Sequence, residues 1–260
     1  MSENPNDAVQ RDDHDSETQS IPVAFDRVLE TLEKGAFADE YGILRWSSNY
    51  AFLVAVAHDD LTVTAVYKPQ KGERPLWDFP DGTLCYREYA SFLTSQALGW
   101  EIVPPTALRE GSRGLGSVQF YIDHDPEMNY FAFDETKVPQ LMRMAVFDYL
   151  INNTDRKGGH CLVDAQGHVW GIDHGITFHT ANKLRTVIWD YAGQDIPDAF
   201  LTDVERLAEQ MEGSTSFRHG LSRLLSSAEI NAFETRIRYI LRERRYPLPG
   251  PGPNYPWPPV

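Results

Sequence analysis

Two acidic residues on neighbouring predicted loops are the part of this sequence best suited to chemistry. Asp155 follows a helical pattern, in the stretch NTDRKGGH, and Asp173 follows the short apolar run VWGI 18 residues later. Lys157 and His160 lie between them, next to paired glycines. Transfer of a phosphoryl group from ATP requires one carboxylate that engages a hydroxyl and another that binds a metal ion. Because charged residues beside Gly-Gly add little to a hydrophobic core, we interpret this stretch as a candidate catalytic site, with Lys157 and His160 acting beside Asp155.

Two further charged residues precede this stretch in the order that phosphoryl transfer needs. Lys68 ends the strand pattern LTVTAVYK and could bind phosphate, and Glu88 lies near the start of the following helix, where it could pair with the lysine. Taken alone, Lys68 would be interpreted as a solvated residue at a strand end, and Glu88 as an acid stabilised by the helix dipole. Together, and ahead of Asp155 and Asp173, they indicate a binding site for nucleotide phosphates.

The composition excludes several classes of function. The chain has 260 residues, of which 42% are hydrophobic, and a formal net charge of −14, so nucleic acid and anionic membrane surfaces are unsuitable partners. Its two cysteines, Cys85 and Cys161, are far apart, which indicates a reduced, cytoplasmic protein without structural zinc. No run of about 18 apolar residues predicts a transmembrane helix, and the acidic N-terminus is unlike a signal peptide. The GxSxG motif of hydrolases and the Walker A motif are also absent from the sequence.

The hydrophobic pattern predicts an α+β fold with two lobes. The predicted parts are a disordered acidic tail at residues 1–20, a β-rich N-lobe at 21–124, a mostly helical C-lobe at 125–246 and a proline-rich tail at 247–260. The predicted elements are a helix at 25–34, a hairpin of strands 50–57 and 61–67, a helix from Tyr86 to Gly99, strands 105–109 and 116–122, a helix from Lys137 to Asn152, a hairpin of strands 160–163 and 168–172, and helices after Leu201. The loops that carry Asp155 and Asp173 open the helical lobe, where a cleft between the lobes would lie.

At these residues the sequence resembles the phosphatidylinositol 3-/4-kinase superfamily, including its HipA-like bacterial branches. The stretch NTDRKGGHCLV is similar to the catalytic loop of that superfamily, whose usual form is DRxxxN, and GIDHG is similar to its metal-binding IDFG motif. The order of strand lysine, helix glutamate, catalytic loop and metal loop is also kept. More narrowly, the series DRKGGH, IDHGITFH and KLRTVIW resembles a small actinobacterial family grouped with these kinases. The resemblance spans about residues 45–180 and implies a bilobal kinase fold with ATP bound between the lobes.

The resemblance also implies a role for each matching residue. Asp155 would orient the acceptor hydroxyl or act as a base, and Asp173 would hold Mg²⁺, or Mn²⁺, against the phosphates. Lys68 would contact the α- and β-phosphates, and Glu88 would hold it in place. The other nucleotide-binding positions would be a phosphate-covering turn of Ser47, Ser48 and Asn49, and an inter-lobe hinge of Tyr121, Ile122 and Asp123 that contacts adenine through backbone groups.

His160 departs from the superfamily pattern, because it occupies the place of the asparagine that is normally the second metal ligand. Neutral imidazole is a poorer ligand for Mg²⁺ than an amide oxygen. Three consequences of this replacement therefore stay open: catalysis with one metal ion, use of a different metal, and loss of activity. It also stays open that His160 has no catalytic role and is the first residue of a strand. His174 likewise replaces the usual phenylalanine after Asp173.

The sequence as a whole predicts a cytoplasmic, kinase-like enzyme that transfers the γ-phosphate of ATP to a hydroxyl. The predicted acceptor is a protein or a small metabolite, and a phosphoinositide is the less favoured third choice because no basic membrane-docking segment is present. Two alternatives are a catalytically impaired pseudokinase that acts as a nucleotide-binding scaffold, and an enzyme that transfers AMP from ATP bound in the reverse orientation.

Overall fold

The computed structural model describes residues 24–43 and 50–260. The predicted tail at residues 1–20 and the predicted turn of Ser47, Ser48 and Asn49 lie outside the described residues. Within the described part, an antiparallel sheet with its helices is followed by a mostly helical half that contains one short hairpin. The predicted α+β class, with a small β-rich part and a mostly helical part, is confirmed.

The first half of the described chain is built on an antiparallel sheet. Its strands are β1 (Ala36–Ile43), β2 (Phe52–His58), β3 (Leu61–Pro69), β4 (Thr106–Gly111) and β5 (Gly114–Phe120), in the spatial order β1-β2-β3-β5-β4. Strand β3 alternates buried Val63, Ala65 and Tyr67 with less buried residues, and helix α1 (Phe25–Lys34) covers the core on that face. Because successive side chains of a strand point to opposite faces, Lys68 at the end of β3 points away from this core.

Helix α2 (Leu84–Leu98) lies between β3 and β4 in the chain and contacts both the sheet and the helical half. The carboxylate of Glu73 accepts hydrogen bonds from the first two backbone N–H groups of this helix, at 3.0 and 2.8 Å. These bonds satisfy donors that a helix N-terminus leaves without an internal partner. Gly99 ends the helix in the left-handed conformation, as the sequence predicted. Glu88 is therefore held one turn from a fixed helix end.

The second half of the described chain is mostly helical. Its elements are α3 (Val138–Ile151), β6 (Cys161–Val163), β7 (Val169–Gly171), α4 (Asp198–Met211), α5 (Ser216–Ser222) and α6 (Ser227–Glu243). Val146, Phe147 and Leu150 of α3 are fully buried in a core that α4, α5 and α6 share. The loop with Asp155 joins α3 to the β6–β7 hairpin, and Asp173 follows β7. Among the described helices, none has the length and apolar character that crossing a bilayer needs.

The sequence prediction misses β1 and misplaces some boundaries. Most residues of β1 are exposed, and its register with β2 shifts between Phe37 and Asp39 and again farther along, so the strand lacks a regular alternation of apolar residues. Helix α2 begins at Leu84 rather than at Tyr86. Strand β5 ends at Phe120, so the predicted strand at 116–122 was placed about two residues too late and the proposed hinge residues follow the strand.

Candidate active site

A cavity between the sheet and the helical half collects four of the residues that the sequence singled out. Lys68 comes from the end of β3, Glu88 from α2, Asp155 from the loop after α3 and Asp173 from the loop after β7, and all four line this cavity. The ammonium nitrogen of Lys68 lies 2.6 Å from Glu88 Oε1 and 2.9 Å from Asp173 Oδ1. The lysine therefore connects the sheet, α2 and the loop after β7 at one point.

The two carboxylates keep the lysine charged. Burial alone would lower the pKa of Lys68, but the negative charges of Asp173 and Glu88 outweigh this effect and raise the pKa above its ordinary value. The ammonium in turn holds the pKa of Asp173 well below its usual range. Lys68 and Asp173 are therefore both ionised at neutral pH, in a cleft suited to the negative charge of phosphates and the positive charge of a metal ion.

Asp173 sits on a backbone that few residues adopt. Its φ angle is +62°, in the left-handed region that aspartate and asparagine tolerate better than most side chains do. The next backbone N–H, that of His174, donates to Glu88 Oε2 at 3.0 Å. One carboxylate of α2 thus binds both the lysine of the sheet and the backbone of the loop that carries Asp173. A left-handed residue held in this way is typical of a functional site.

The carboxylate of Asp155 is partly buried beside Asp173. Burial raises the pKa of Asp155 to about 6; Lys157, whose ammonium is 3.5 Å from Asp155 Oδ2, opposes the rise, and the charge of Asp173 adds to it. The backbone N–H of Asp155 donates to Asn153 Oδ1 at 3.0 Å, which fixes the start of the loop. A carboxylate with a pKa near neutrality suits a general base better than one with the ordinary value.

The hydrogen bonds of His160 determine which ring nitrogen can bind a cation. Its Nδ1 lies 2.9 Å from the carbonyl oxygen of Asp155, which can only accept, so Nδ1 carries the proton. Its Nε2 then presents a lone pair, 3.5 Å from Asp173 Oδ2. Burial lowers the pKa of His160 to about 4, so the ring is neutral at pH 7. The neutral tautomer is the form in which histidine binds metals.

Nε2 of His160 and the carboxylate of Asp173 together form a suitable pair of ligands for one divalent cation. No group of three or more His, Cys, Asp or Glu side chains able to hold a metal occurs in the part of the chain that the structure describes. A cation here would take its remaining ligands from water and phosphate oxygens, as is usual for Mg²⁺ at nucleotide sites. The mixed nitrogen and oxygen donors suit Mn²⁺ better than Mg²⁺.

A buried arginine links the loops that carry the two acids. Arg156 donates from Nε to Asp148 Oδ2 and from Nη2 to Asp148 Oδ1, both at 2.9 Å, and both side chains are fully buried. Its Nη1 donates to the carbonyls of His160 and Ile172, at 3.2 and 3.1 Å. Its Nη2 also lies 2.5 Å from Nε2 of the buried His174, whose pKa burial lowers well below its ordinary value. Arg156 therefore fixes the residues that flank Asp155 and Asp173.

The buried pair of Arg156 and Asp148 has no role among the sequence predictions. Arg156 is present in the stretch NTDRKGGH, at the arginine position of the superfamily motif DRxxxN, but the sequence alone does not show its partners. Asp148 is recognisable in the sequence as an acidic residue within the apolar pattern of α3, and a buried, ionised side chain needs a partner. Five other residues that line the cavity were not predicted as site residues either: Tyr50, Glu73, Arg74, Leu76 and Cys85.

We expect the Arg156→Ala substitution to lower the free energy of unfolding by about 3–5 kcal/mol, because it leaves the Asp148 carboxylate buried without its partner. Urea denaturation at pH 7 measures this loss. Arg245→Ala is the control, since the pair of Arg245 and Asp195 is exposed and its removal is expected to cost less than about 1 kcal/mol. Equal losses of unfolding free energy in the two variants would contradict the conclusion that Arg156 stabilises the loops that carry Asp155 and Asp173.

The structure does not bring every predicted site residue to the cavity. Lys157 pairs with Asp155, and Nε2 of His160 lies 3.5 Å from Asp173 Oδ2, but neither Lys157 nor His160 lines the cavity itself. Tyr121 and Ile122 lie outside its lining. The backbone N–H of Tyr121 donates to Thr64 at 3.0 Å, and the carbonyl of Ile122 lies 2.8 Å from His124 Nδ1. Two backbone groups of this pair therefore already have partners within the protein, and the hinge role stays a prediction.

Comparisons with known proteins show what this chain is similar to in sequence and in fold. The family model "Phosphatidylinositol 3- and 4-kinase" matches residues 111–231. Protein Rv2133c of Mycobacterium tuberculosis is 38% identical over an alignment of 252 residues, and the match covers 84% of this chain and 90% of that protein. Phosphatidylinositol 4-kinase gamma 4 of rice is 30% identical over an alignment of 103 residues, and the match covers 36% of this chain and 18% of that protein. The crystal structure of the Helicobacter pylori proinflammatory kinase CtkA is similar in fold, with a TM-score of 0.51 and 12% identity over 83% of this chain and 94% of that one.

Proposed function

Because the chain belongs to the phosphatidylinositol 3-/4-kinase superfamily, in the same family as the mycobacterial protein, we propose that it transfers the γ-phosphate of ATP to a hydroxyl group. The observation that carries this proposal is the contact of Lys68 with both Glu88 and Asp173, in the cavity that Asp155 also lines. Phosphoryl transfer is catalysed mainly by positioning and by stabilisation of charge, and these residues supply both.

Each residue has a specific task in the proposed reaction. Lys68, held by Glu88, binds phosphate oxygens, while Asp173 and His160 hold the divalent cation that neutralises phosphate charge. Asp155 accepts the proton of the acceptor hydroxyl. The acceptor oxygen forms a bond to the γ-phosphorus, the bond from that phosphorus to the β–γ bridging oxygen breaks, and ADP leaves.

The acceptor that we favour is a hydroxyl of a protein or a small metabolite. The net charge of −14 disfavours docking on an anionic membrane, as a phosphoinositide acceptor would require. Incubation with ATP, a divalent cation and candidate acceptors tests the proposal through its products. ADP and a phosphorylated acceptor are expected. Pyrophosphate and an acceptor that carries AMP would contradict γ-phosphate transfer and favour AMP transfer.

We expect Mn²⁺ to support turnover better than Mg²⁺, and the His160→Asn substitution to reverse this preference by about tenfold, because the amide oxygen replaces a nitrogen ligand. The measurement is the rate of ADP formation with each cation for both proteins. His219→Asn is the control, since His219 lies on α5 outside the cavity lining.

The His160→Asn variant also tests whether the protein is an enzyme or a pseudokinase. The pseudokinase is considered because a histidine occupies the position of the usual metal-binding asparagine. Loss of turnover with both cations means that His160 works in the native site. Turnover in His160→Asn, with either cation, above that of the native protein with Mn²⁺ would mean that the native site is impaired, and the scaffold interpretation would then replace the enzyme.

A further inference from the structure

The proline-rich segment, residues 247–260, packs against the helical half without forming a helix or strand of its own. The side chain of Asn254 donates from Nδ2 to the carbonyls of Gly250 and Gly252, at 2.8 and 2.9 Å, which fixes a turn within the segment. The carbonyl of Asn254 accepts from the backbone N–H of Thr186, at 3.1 Å, and from the indole N–H of Trp189, at 2.9 Å. This turn is therefore attached at two points to the stretch that follows the metal loop.

The same stretch is bonded to the loop that carries Asp155. The backbone N–H of Arg156 donates to the carbonyl of Arg185 at 3.0 Å, and the N–H of Val187 donates back to the carbonyl of Arg156 at 3.0 Å. These bonds form a parallel bridge between Arg156 and Thr186. Asn254 is thus connected to the backbone of the catalytic loop through one intervening residue, Thr186.

The end of the segment contacts the catalytic loop directly. The backbone N–H of Gly158 donates to the carbonyl of Pro259 at 2.7 Å, and the side chain of Val260 is 4.0 Å from where a Cβ of Gly159 would lie. On the other side, a Cβ at Gly158 would come within 2.6 Å of the ring of Phe131. Gly158 is therefore buried between an aromatic ring and the proline-rich segment.

We propose that residues 254–260 position the catalytic loop for phosphoryl transfer, an inference that rests on the proposed function. Gly158 and Gly159 lie between Asp155 and His160, and paired glycines leave a loop free to adopt many backbone conformations. The bonds from Pro259 to Gly158 and from Asn254 to Thr186 restrict that freedom from outside. Small displacements of catalytic groups lower rates strongly, so such a restraint acts on catalysis rather than only on stability.

The proline-rich segment restrains the catalytic loop and does not block the cavity. None of the residues 247–260 lines the cavity that contains Lys68, Asp155 and Asp173. The carbonyls of Asn254 and Pro259 accept hydrogen bonds from outside the segment, from the backbone N–H groups of Thr186 and Gly158 and from the indole N–H of Trp189. Removing the segment is therefore expected to lower turnover, whereas removal of a blocking segment would raise it.

The test compares the full chain with Asn254→Ala and with a variant that lacks residues 254–260. Leu248→Ala is the matched control, because its side chain is 70% exposed in the part of the segment that precedes residues 254–260. Hydrogen exchange of the amides from Arg156 to Cys161 reports on the loop, and ADP formation reports on turnover. In both test variants we expect faster exchange and a kcat at least about tenfold lower, with the KM for ATP little changed. A synthetic peptide of residues 247–260 is expected to restore both properties to the shortened variant.

Unchanged exchange at the catalytic loop in the shortened variant would overturn the proposal, and so would faster exchange with unchanged or increased turnover. If the full chain itself shows no ATP turnover, the proposed function fails, and with it the catalytic role of the segment. The exchange experiment still decides, independently of that failure, whether the segment orders the loop.

Discussion

The Asp173→Asn variant is expected to lose ATP turnover by at least about a thousandfold while it remains folded. Asp173 is the only carboxylate among the described residues within reach of both Lys68 and Nε2 of His160, so the variant loses the negative charge that would hold a cation against the phosphates. Asparagine is chosen because it tolerates the φ angle of +62° at this position. The rate of ADP formation measures the loss.

The control for this substitution is Asp195→Asn, which makes the same chemical change at an exposed surface pair. Circular dichroism and the thermal midpoint of both variants establish that the fold is intact. A folded Asp173→Asn protein that retains more than a tenth of the native turnover would remove Asp173 from the proposed mechanism.

The Asp155→Asn variant is expected to lose about a hundred- to ten-thousandfold in turnover, the usual contribution of a general base, while ATP still binds. The same variant is expected to be more stable than the native protein at pH 7, by at most about 3 kcal/mol, the free-energy equivalent of the difference in pKa. The reason is that the pKa of Asp155 is higher in the folded protein, at about 6, than its ordinary value of 3.8. Ionised Asp155 therefore costs folding free energy at neutral pH.

The pH dependence distinguishes this effect from an ordinary change in packing. Between about pH 4 and 6 the folded protein binds more protons at Asp155 than the unfolded chain does, so its contribution to stability falls as pH rises through that window. The stability gain of Asp155→Asn is thus expected at pH 7 and absent below about pH 4. In the native protein, kcat/KM is expected to rise with pH around 6. A gain in stability that is equal at both pH values would contradict the raised pKa.

The pair of Lys68 and Glu88 is predictable from the sequence because its signal is local, whereas the contact of Lys68 with Asp173 is not among the sequence predictions. A lysine at a strand end, a glutamate near a helix start and an acid after a short strand each follow from pattern and turn chemistry. Their order matches a known superfamily, and the fold of that superfamily brings them together. The geometry around His160 was not predictable, because the choice of tautomer depends on the carbonyl of Asp155 and not on residue type.

The buried network and the proline-rich segment were beyond sequence reasoning for a different reason. Arg156 and Asp148 meet only when α3 and the following loop fold back on each other, and a charged residue is ordinarily taken as exposed. The segment at 247–260 has no apolar periodicity, and its contacts with Gly158 and Thr186 use backbone groups that every residue has. Strand β1 was missed because its residues are largely exposed.

Calorimetric titration of ATP into the native protein and into Asp173→Asn, with Mg²⁺, with Mn²⁺ and with a chelator, tests the central claim most directly. The site built from Lys68, Asp173 and His160 predicts that ATP binding in the native protein depends on the cation, and that this dependence disappears in the variant. Absence of ATP binding under every condition, or equal binding by both proteins with and without the cation, would contradict the account.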